Sequence, residues 1–241
     1  VSIPTDSEAI PTEPTTEAAE PVSVFAACKE LTKPGITKLV TITALVGVGL
    51  GGLHYGVETA GDWIRLILGI GIGTAMASGG ANALNMWYES DRDAMMKRTR
   101  VRPIPSKRLT PRFVLLFGLA MTILGCVVLG ASAGMLPALV ALVTAASYVL
   151  IYTPLKPITI TNTLIGAVPG ALPTMIGTTA VAPGGGFEPL TEPVGLMLFF
   201  LMFLWQLPHF FAIAWMCRVD YASGGFRMLP IVDPQGNHTA A

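Results

Sequence analysis

Charged side chains are scarce in this chain of 241 residues, of which 12% are charged and 52% are hydrophobic. A soluble globular domain carries about twice that share of charged residues. The 15 Lys and Arg residues equal the 15 Asp and Glu residues in number, so the chain has no net charge. Nucleic-acid binding requires a basic surface, and we therefore expect no nucleic acid among the partners.

Cysteine is also rare, with only Cys28, Cys126 and Cys217 present and no C-x-x-C spacing. An odd number of widely separated cysteines excludes a disulfide framework and a cysteine-based zinc site. The first 22 residues lack basic side chains but contain five acids and four prolines. Because such a segment buries little apolar surface, the sequence predicts a disordered tail over residues 1–22, followed by one domain over residues 23–241.

The apolar residues are gathered into six runs, each close to the length that crosses a bilayer. These runs fall at residues 35–56, 64–87, 112–132, 135–153, 158–180 and 194–217. Pro169, Gly170 and Pro173 interrupt the fifth run and predict a kink there. The predicted fold class is an all-α polytopic membrane protein with six spans.

The basic residues are distributed unequally between the two ends of these spans. With the N-terminus placed inside, every Lys and Arg except Arg65 lies on the inner side, and most of them lie in the loop over residues 92–112. Basic residues accumulate on the cytoplasmic side of membrane proteins. This bias predicts that the N-terminus is inside.

Asn85, Glu89 and Asp93 are spaced four residues apart at the inner end of the second span. On a helix this spacing places them on one stripe, and carboxylates so close together repel one another unless they share a cation. Oxygen ligands suit Mg²⁺, which often shares a phosphate-bearing substrate. The alternative is a solvated helix end whose acids pair with Arg92 and Lys97.

The basic loop that follows has two possible roles. It can anchor the chain at anionic lipid headgroups, which we favour for Lys107, Arg108 and Arg112. It can also bind a diphosphate, since a guanidinium group donates to phosphate oxygens in pairs. Arg98 and Arg102 are the candidates for this second role because they follow the acidic stripe most closely.

Three further segments of the inner face carry polar residues. Tyr152 begins a YTPLK segment that ends with Lys156 and leads to Asn162, and Lys156 is a cation where a phosphate could bind. His209 lies inside the sixth span, where a titratable residue is either functional or a hydrogen-bonded packing residue. Asp220 follows that span and could supply a second metal site.

The pattern N-x-x-x-E-x-x-x-D over residues 85–93, followed by M-x-R-T-x-x-R-P over residues 96–103, resembles the signature of the UbiA-type intramembrane prenyltransferases. Within that family, YTPLK at 152–156, WQLPHF at 205–210 and DYASGGFRMLP at 220–230 are similar to the members that farnesylate heme, the heme O synthases. The resemblance extends from about residue 30 to residue 235. The motifs occur in the family's order.

This resemblance implies a bundle of nine spans, of which the last three would be missing here. It implies transfer of a farnesyl group from farnesyl diphosphate to a vinyl group of heme b, with two Mg²⁺ ions, in a bacterial inner membrane or the mitochondrial inner membrane. Heme A synthase or terminal-oxidase assembly factors would be partners. The implied metal ligands are Asn85, Glu89, Asp93 and Asp220, the implied diphosphate ligands are Arg98, Arg102 and Lys156, and the implied heme-binding residues are Tyr152, Asn162 and His209.

Two positions depart from the family pattern, since Pro157 stands where the family usually has Arg and Val219 stands where an acid is common. Three other functions remain open. A related enzyme could prenylate a quinone precursor or another aromatic acceptor, a transporter could use Glu89, Asp93 and His209 as a polar pathway, and an assembly factor could bind heme without chemistry. The concentration of charge at one face favours an enzyme over a transporter.

Overall fold

The computed structural model describes residues 23–232, and every regular element in that range is a helix. The tail predicted over residues 1–22 lies outside the described residues. The helices are α1 (Val24–Leu31), α2 (Pro34–Tyr55), α3 (Ala60–Tyr88), α4 (Ser90–Met95), α5 (Pro111–Ala133), α6 (Met135–Leu155), α7 (Asn162–Ala171), α8 (Pro173–Thr179), α9 (Pro193–Met216), α10 (Arg218–Ser223) and α11 (Leu229–Val232), with a 3₁₀ turn at Glu188–Thr191.

Five of these helices, α2, α3, α5, α6 and α9, are long and apolar enough to cross a membrane. The helices α2, α3, α5 and α6 alternate in direction, and α7 with α8 carries the chain back before α9. The basic residues other than Arg65 therefore gather at one end of the bundle, which we call the basic face. The predicted all-α polytopic fold is confirmed.

The fifth predicted span differs from the prediction, because residues 158–180 form two short helices rather than one. The chain breaks at Leu172, directly before Pro173, whereas Pro169 lies inside α7. Proline has no backbone N–H and fits the first position of a helix, so Pro173 ends the hydrogen-bond ladder of α7 and begins α8. The predicted kink is therefore an interruption of the hydrogen-bond ladder at Leu172, whose backbone angles stay helical.

The fourth span contains a π-helical turn over Ser147–Tyr152. Such turns are rare and are found mostly at functional sites. The rings of Tyr148 and Tyr152, both in this turn, stack with 5.7 Å between their centres. Both tyrosines line the cavity described below.

Small residues allow the helices to pack closely. A Cβ atom on Gly80 of α3 would lie 2.6 Å from the carbonyl oxygen of Gly118 on α5, and a Cβ atom on Gly47 of α2 would collide with the backbone of α8. Such contacts are typical of helix packing in membranes. Next to them, an apolar core fills the half of the bundle away from the basic face, with the buried residues Ala44, Val48, Leu66, Ile70, Leu129, Ala138, Val140, Ala141, Met175 and Ile176. The other half is left hollow.

Candidate functional site

A cavity of about 420 Å³ occupies the half of the bundle nearest the basic face. Its walls come from α2, α3, α6, α7, α8 and α9, together with the loop after α4 and the segment after α9. Eight of the predicted site residues line it, namely Asn85, Glu89, Asp93, Arg98, Arg102, Tyr152, Lys156 and His209.

The acidic stripe keeps its helical register beyond the end of α3. The backbone N–H of Glu89 donates to the carbonyl of Asn85, and the N–H of Asp93 donates to the carbonyl of Glu89. All three side chains are buried and face the cavity. The prediction that they share one face is confirmed.

The two carboxylates of the stripe are each paired with a cation. Lys156 Nζ donates to Glu89 Oε1 at 2.7 Å, and Arg102 Nη1 lies 2.7 Å from both carboxylate oxygens of Asp93. Burial raises the pKa of the Asp93 carboxyl, and the Arg102 guanidinium opposes this shift. Removing either cation would leave a buried carboxylate unpaired, which is strongly destabilising.

Lys33 contributes a third cation that the sequence analysis did not identify. Its Nζ donates to Asn85 Oδ1 at 2.8 Å, while Asn85 Nδ2 donates to Thr153 Oγ1 at 3.1 Å. Lys33 has a left-handed backbone with φ of 45°, a conformation uncommon outside glycine, directly before Pro34. Burial, with the nearby charges of Arg102 and Lys156, lowers the pKa of Lys33 to about 7. A bound anion would favour the charged form.

Residues 220–228, which we call the strap, lie across the mouth of the cavity. Arg92 Nη1 donates to the carbonyl of Gly224 at 3.0 Å, and the backbone N–H of Arg227 donates to the carbonyl of Lys156 at 2.8 Å. The buried ring of Phe226 packs 5.9 Å from Lys156 Nζ. Arg92 therefore holds the strap and makes no ion pair with the acidic stripe among the described residues.

Two predicted site residues do not line the cavity. Asp220 lies on α10, with its Oδ2 3.9 Å from Arg98 Nε, which is too long for a hydrogen bond. Asn162 begins α7, and its buried amide donates to the carbonyls of Thr159 and Arg227. Asn162 thus joins the strap to α7. The predicted roles of both residues in metal or heme binding remain predictions.

His209 lies on the exposed side of the cavity, where its ring stacks on Trp205 with 5.2 Å between the centres. Gln206, one turn before His209 on α9, is buried and donates to the carbonyl of Met202 at 2.8 Å. Gln206 fits only because Gly170 of α7 faces it, since a Cβ atom on Gly170 would collide with Gln206 Oε1. The glycines of α7 thus serve packing.

Oxygen atoms are the donors that this site offers to a metal ion. Within residues 23–232, no three His, Cys, Asp or Glu side chains are grouped around one point. The stripe offers two carboxylates and one amide oxygen, all hard ligands of the kind Mg²⁺ prefers when it also keeps water and phosphate ligands. The donors therefore fit a Mg²⁺ ion held jointly with a phosphate-bearing ligand. They do not fit a metal cage built by the protein alone.

The chain is similar in sequence to known proteins over most of its length. The profile of the UbiA prenyltransferase family matches residues 40–241. No solved structure matches the chain.

Three curated relatives, all called protoheme IX farnesyltransferase, are similar to most of the chain. The protein from Solibacter usitatus is 42% identical over an alignment of 219 residues, and the match covers 88% of this chain and 71% of that relative. The proteins from Rhodopirellula baltica and Koribacter versatilis are 41% and 39% identical, and each match covers 88% of this chain. The chain spans 70% of the Rhodopirellula baltica relative and 65% of the Koribacter versatilis relative.

Proposed function

The chain belongs to the UbiA prenyltransferase family, and we propose that it transfers a farnesyl group from farnesyl diphosphate to a vinyl group of heme b, giving heme O. The observation that carries this proposal is the set of buried carboxylates paired with cations at the mouth of a deep, largely apolar cavity. Such a site suits a ligand with a charged head and an apolar tail. A prenyl diphosphate is such a ligand.

The ion pairs suggest how the charged head binds. A diphosphate entering the mouth meets Lys33, Arg102 and Lys156, whose present partners are all on the acidic stripe. Phosphate oxygens can take over these hydrogen bonds, which frees the stripe oxygens for Mg²⁺. The exchange keeps every buried charge paired, which a low-dielectric site requires.

Asn85, Glu89 and Asp93 would hold Mg²⁺, which neutralises charge on the leaving diphosphate. Arg98 lies at the same mouth and would contact the diphosphate from the loop after α4. The Asp220 carboxylate lies 3.9 Å from the Arg98 guanidinium. We propose that Asp220 binds a second Mg²⁺ ion only when the bound farnesyl diphosphate moves Arg98 away from it. The strap would shield this end from water.

The chemical step is electrophilic alkylation of the vinyl group. The C–O bond of the donor breaks with its electron pair leaving on the diphosphate, and the vinyl π electrons form the new C–C bond to the allylic cation. Water adds to the resulting cation on the heme side and releases one proton, so the heme gains a farnesyl group and the elements of water. The apolar walls and the stacked rings of Tyr148 and Tyr152 exclude water from the allylic cation until the vinyl group reacts.

The acceptor would enter beside α9. His209 and Trp205 form a stacked aromatic surface at the exposed wall, opposite Tyr152 on α6. We propose that this surface contacts the heme, with His209 at the iron or at a propionate. Asn162 would support this region through the strap, since its amide holds the carbonyl of Arg227.

The helices and the family indicate an integral membrane protein. We propose that the basic face and the N-terminus are inside, in a bacterial inner membrane or the mitochondrial inner membrane, because that face carries the basic residues. Heme A synthase or terminal-oxidase assembly factors would receive the product.

Paired variants of the full-length protein test this function. Asp93→Asn should abolish Mg²⁺-dependent release of diphosphate, because Asp93 is buried at the cavity. Asp91→Asn, two residues away on the exposed side of α4, should retain it. Diphosphate release followed with heme b and farnesyl diphosphate is the measurement. Near-normal release by Asp93→Asn would remove the stripe from the reaction.

A further inference from the structure

The turn between α1 and α2 departs from ordinary helix chemistry at Lys33. Lys33 is the N-cap of α2, but its side chain makes no capping hydrogen bond, and serine, threonine, aspartate and asparagine are the usual capping residues. It attaches a cation to the positive end of the helix dipole, and its backbone is left-handed with φ of 45°. Such a conformation persists only where the surrounding structure imposes it, and it is most frequent at functional sites.

The carbonyl group of Thr32, directly before Lys33, is held by two side chains. It accepts a hydrogen bond from Thr37 Oγ1 at 2.6 Å and a weaker one from Asn82 Nδ2 at 3.4 Å. This carbonyl belongs to the same peptide unit as the backbone nitrogen of Lys33. Because a peptide unit is planar, holding its carbonyl in one direction restrains the φ angle of Lys33.

The hydroxyl of Thr37 is used differently from that of the next threonine along α2. Thr41 Oγ1 donates to the carbonyl four residues earlier in its own helix, which is a common arrangement for a threonine inside a helix. Thr37 Oγ1 donates instead to the carbonyl of Thr32, which lies outside α2. It also accepts from Asn82 Nδ2 at 3.2 Å, so both N–H groups of the Asn82 amide have acceptors in this turn.

One face of α3 contacts both ends of Lys33. Asn82 holds the peptide before Lys33, and Asn85, three residues later on the same face, accepts from Lys33 Nζ at 2.8 Å. Gly79, one turn earlier, leaves room for Thr32, since a Cβ atom there would lie 3.2 Å from Thr32 Cβ. This face of α3 therefore fixes the backbone of Lys33 as well as its ammonium group.

We infer that Asn82 and Thr37 are positioning residues, which hold the turn at Lys33 so that its ammonium group meets the diphosphate of the donor. This inference rests on the proposed function, because it takes the donor to be a prenyl diphosphate. Without the two side chains, Lys33 would relax toward the extended backbone that a residue before proline prefers. Its ammonium group would then leave Asn85 and the mouth of the cavity.

Variants of the full-length protein test this role through KM for farnesyl diphosphate, which does not depend on the amount of folded protein. Asn82→Leu and Thr37→Val keep the approximate size of the side chain and remove its hydrogen bonds. Each should raise this KM about tenfold, as Lys33→Met should, because the same charged hydrogen bond to the donor is lost. Thr37→Ser keeps the hydroxyl and should retain the wild-type KM. The matched control is Thr41→Val, whose lost hydroxyl bonds only within α2.

A double variant separates positioning from direct contact with the donor, because Asn82 itself lines the cavity. If Asn82 acts through Lys33, adding Asn82→Leu to Lys33→Met should leave KM at the value of Lys33→Met alone. Two independent contacts, or a general disturbance of the site, would instead multiply to roughly a hundredfold and would overturn the positioning role. If Asn82→Leu fails to fold, Thr37→Val gives the same comparison at a less buried position.

The outcomes also separate this inference from the proposed function. A wild type that releases diphosphate from no prenyl donor would overturn the proposed function, and this inference with it. A wild type that uses farnesyl diphosphate, with a raised KM in Lys33→Met but wild-type values in Asn82→Leu and Thr37→Val, would overturn only the positioning role. An unchanged KM in Lys33→Met would overturn the contact between Lys33 and the donor on which the positioning role depends.

Discussion

Replacing Lys156 by methionine tests whether its ammonium group both stabilises the fold and binds farnesyl diphosphate. Lys156 Nζ lies 2.7 Å from Glu89 Oε1, and the two side chains are 12% and 7% exposed. Methionine keeps the length and apolar body of the side chain but leaves the Glu89 carboxylate without its partner. Breaking a buried ion pair in this way costs roughly 3–5 kcal/mol of stability.

The effect of Lys156→Met on the affinity for farnesyl diphosphate follows from the energy of one charged hydrogen bond. A hydrogen bond from a charged donor contributes about 1.5–3 kcal/mol. Because about 1.4 kcal/mol is a factor of ten in affinity, Lys156→Met should weaken binding of farnesyl diphosphate roughly 10-fold to 100-fold. The assay is KM for farnesyl diphosphate, supported by the Kd of an unreactive farnesyl thiolodiphosphate, while unfolding in detergent reports stability.

A double variant separates the two effects. Adding Glu89→Gln removes the unpaired buried charge, so Lys156→Met with Glu89→Gln should recover much of the stability. Because Glu89 is also a proposed Mg²⁺ ligand, binding of the analogue by the double variant is compared with binding by Glu89→Gln alone, and it should be weaker. Lys97→Met is the control, because Lys97 is exposed in the same basic loop and does not line the cavity. Wild-type binding of the analogue by Lys156→Met would refute the role of Lys156 in holding the diphosphate.

Four further outcomes are expected. Lys33→Met should raise KM for farnesyl diphosphate about tenfold, because a charged hydrogen bond is lost. Lys38→Met, at an exposed position one turn along α2, should leave this KM unchanged. Equal effects of the two variants would place Lys33 outside the binding site. Gly170→Ala should destabilise the fold by about 1–3 kcal/mol and so lower its unfolding temperature, because the added methyl group collides with a facing side chain of α9. Gly49→Ala, with open space around it, should leave the unfolding temperature unchanged. Chelation of divalent ions should stop diphosphate release and added Mg²⁺ should restore it, and release that survives chelation would contradict the metal role. His209→Ala should change the optical spectrum of bound heme, and an identical spectrum would remove His209 from the heme site.

The features that the sequence predicted correctly are those with a short repeat or a local signal. Four-residue spacing is sufficient to place Asn85, Glu89 and Asp93 on one stripe, because backbone hydrogen bonds continue from one to the next. Runs of apolar residues likewise located the long helices. In the fifth run the prolines indicated an interruption, but only packing decides that the chain breaks at Leu172 while Pro169 stays helical.

The features that the sequence did not predict depend on contacts between distant segments. Lys33 looked like one more basic residue before a span, and its place in the site depends on a left-handed backbone and on Asn85, 52 positions away. The pairing of Glu89 with Lys156 joins residues 67 positions apart. Asp220 lies outside the cavity, where its carboxylate faces Arg98 of the distant loop after α4. The T-K-P-G turn before α2 is the one local signal that could have drawn attention to Lys33.

The most direct test of the proposed function is the mass of the porphyrin product. The full-length protein in detergent would be incubated with heme b, farnesyl diphosphate and Mg²⁺, and the porphyrins separated and weighed by mass spectrometry. The proposed function predicts a heme that has gained one farnesyl group and one water, and no such product when Mg²⁺ is chelated. Unchanged heme, with diphosphate released only when another aromatic acceptor is supplied, would contradict it.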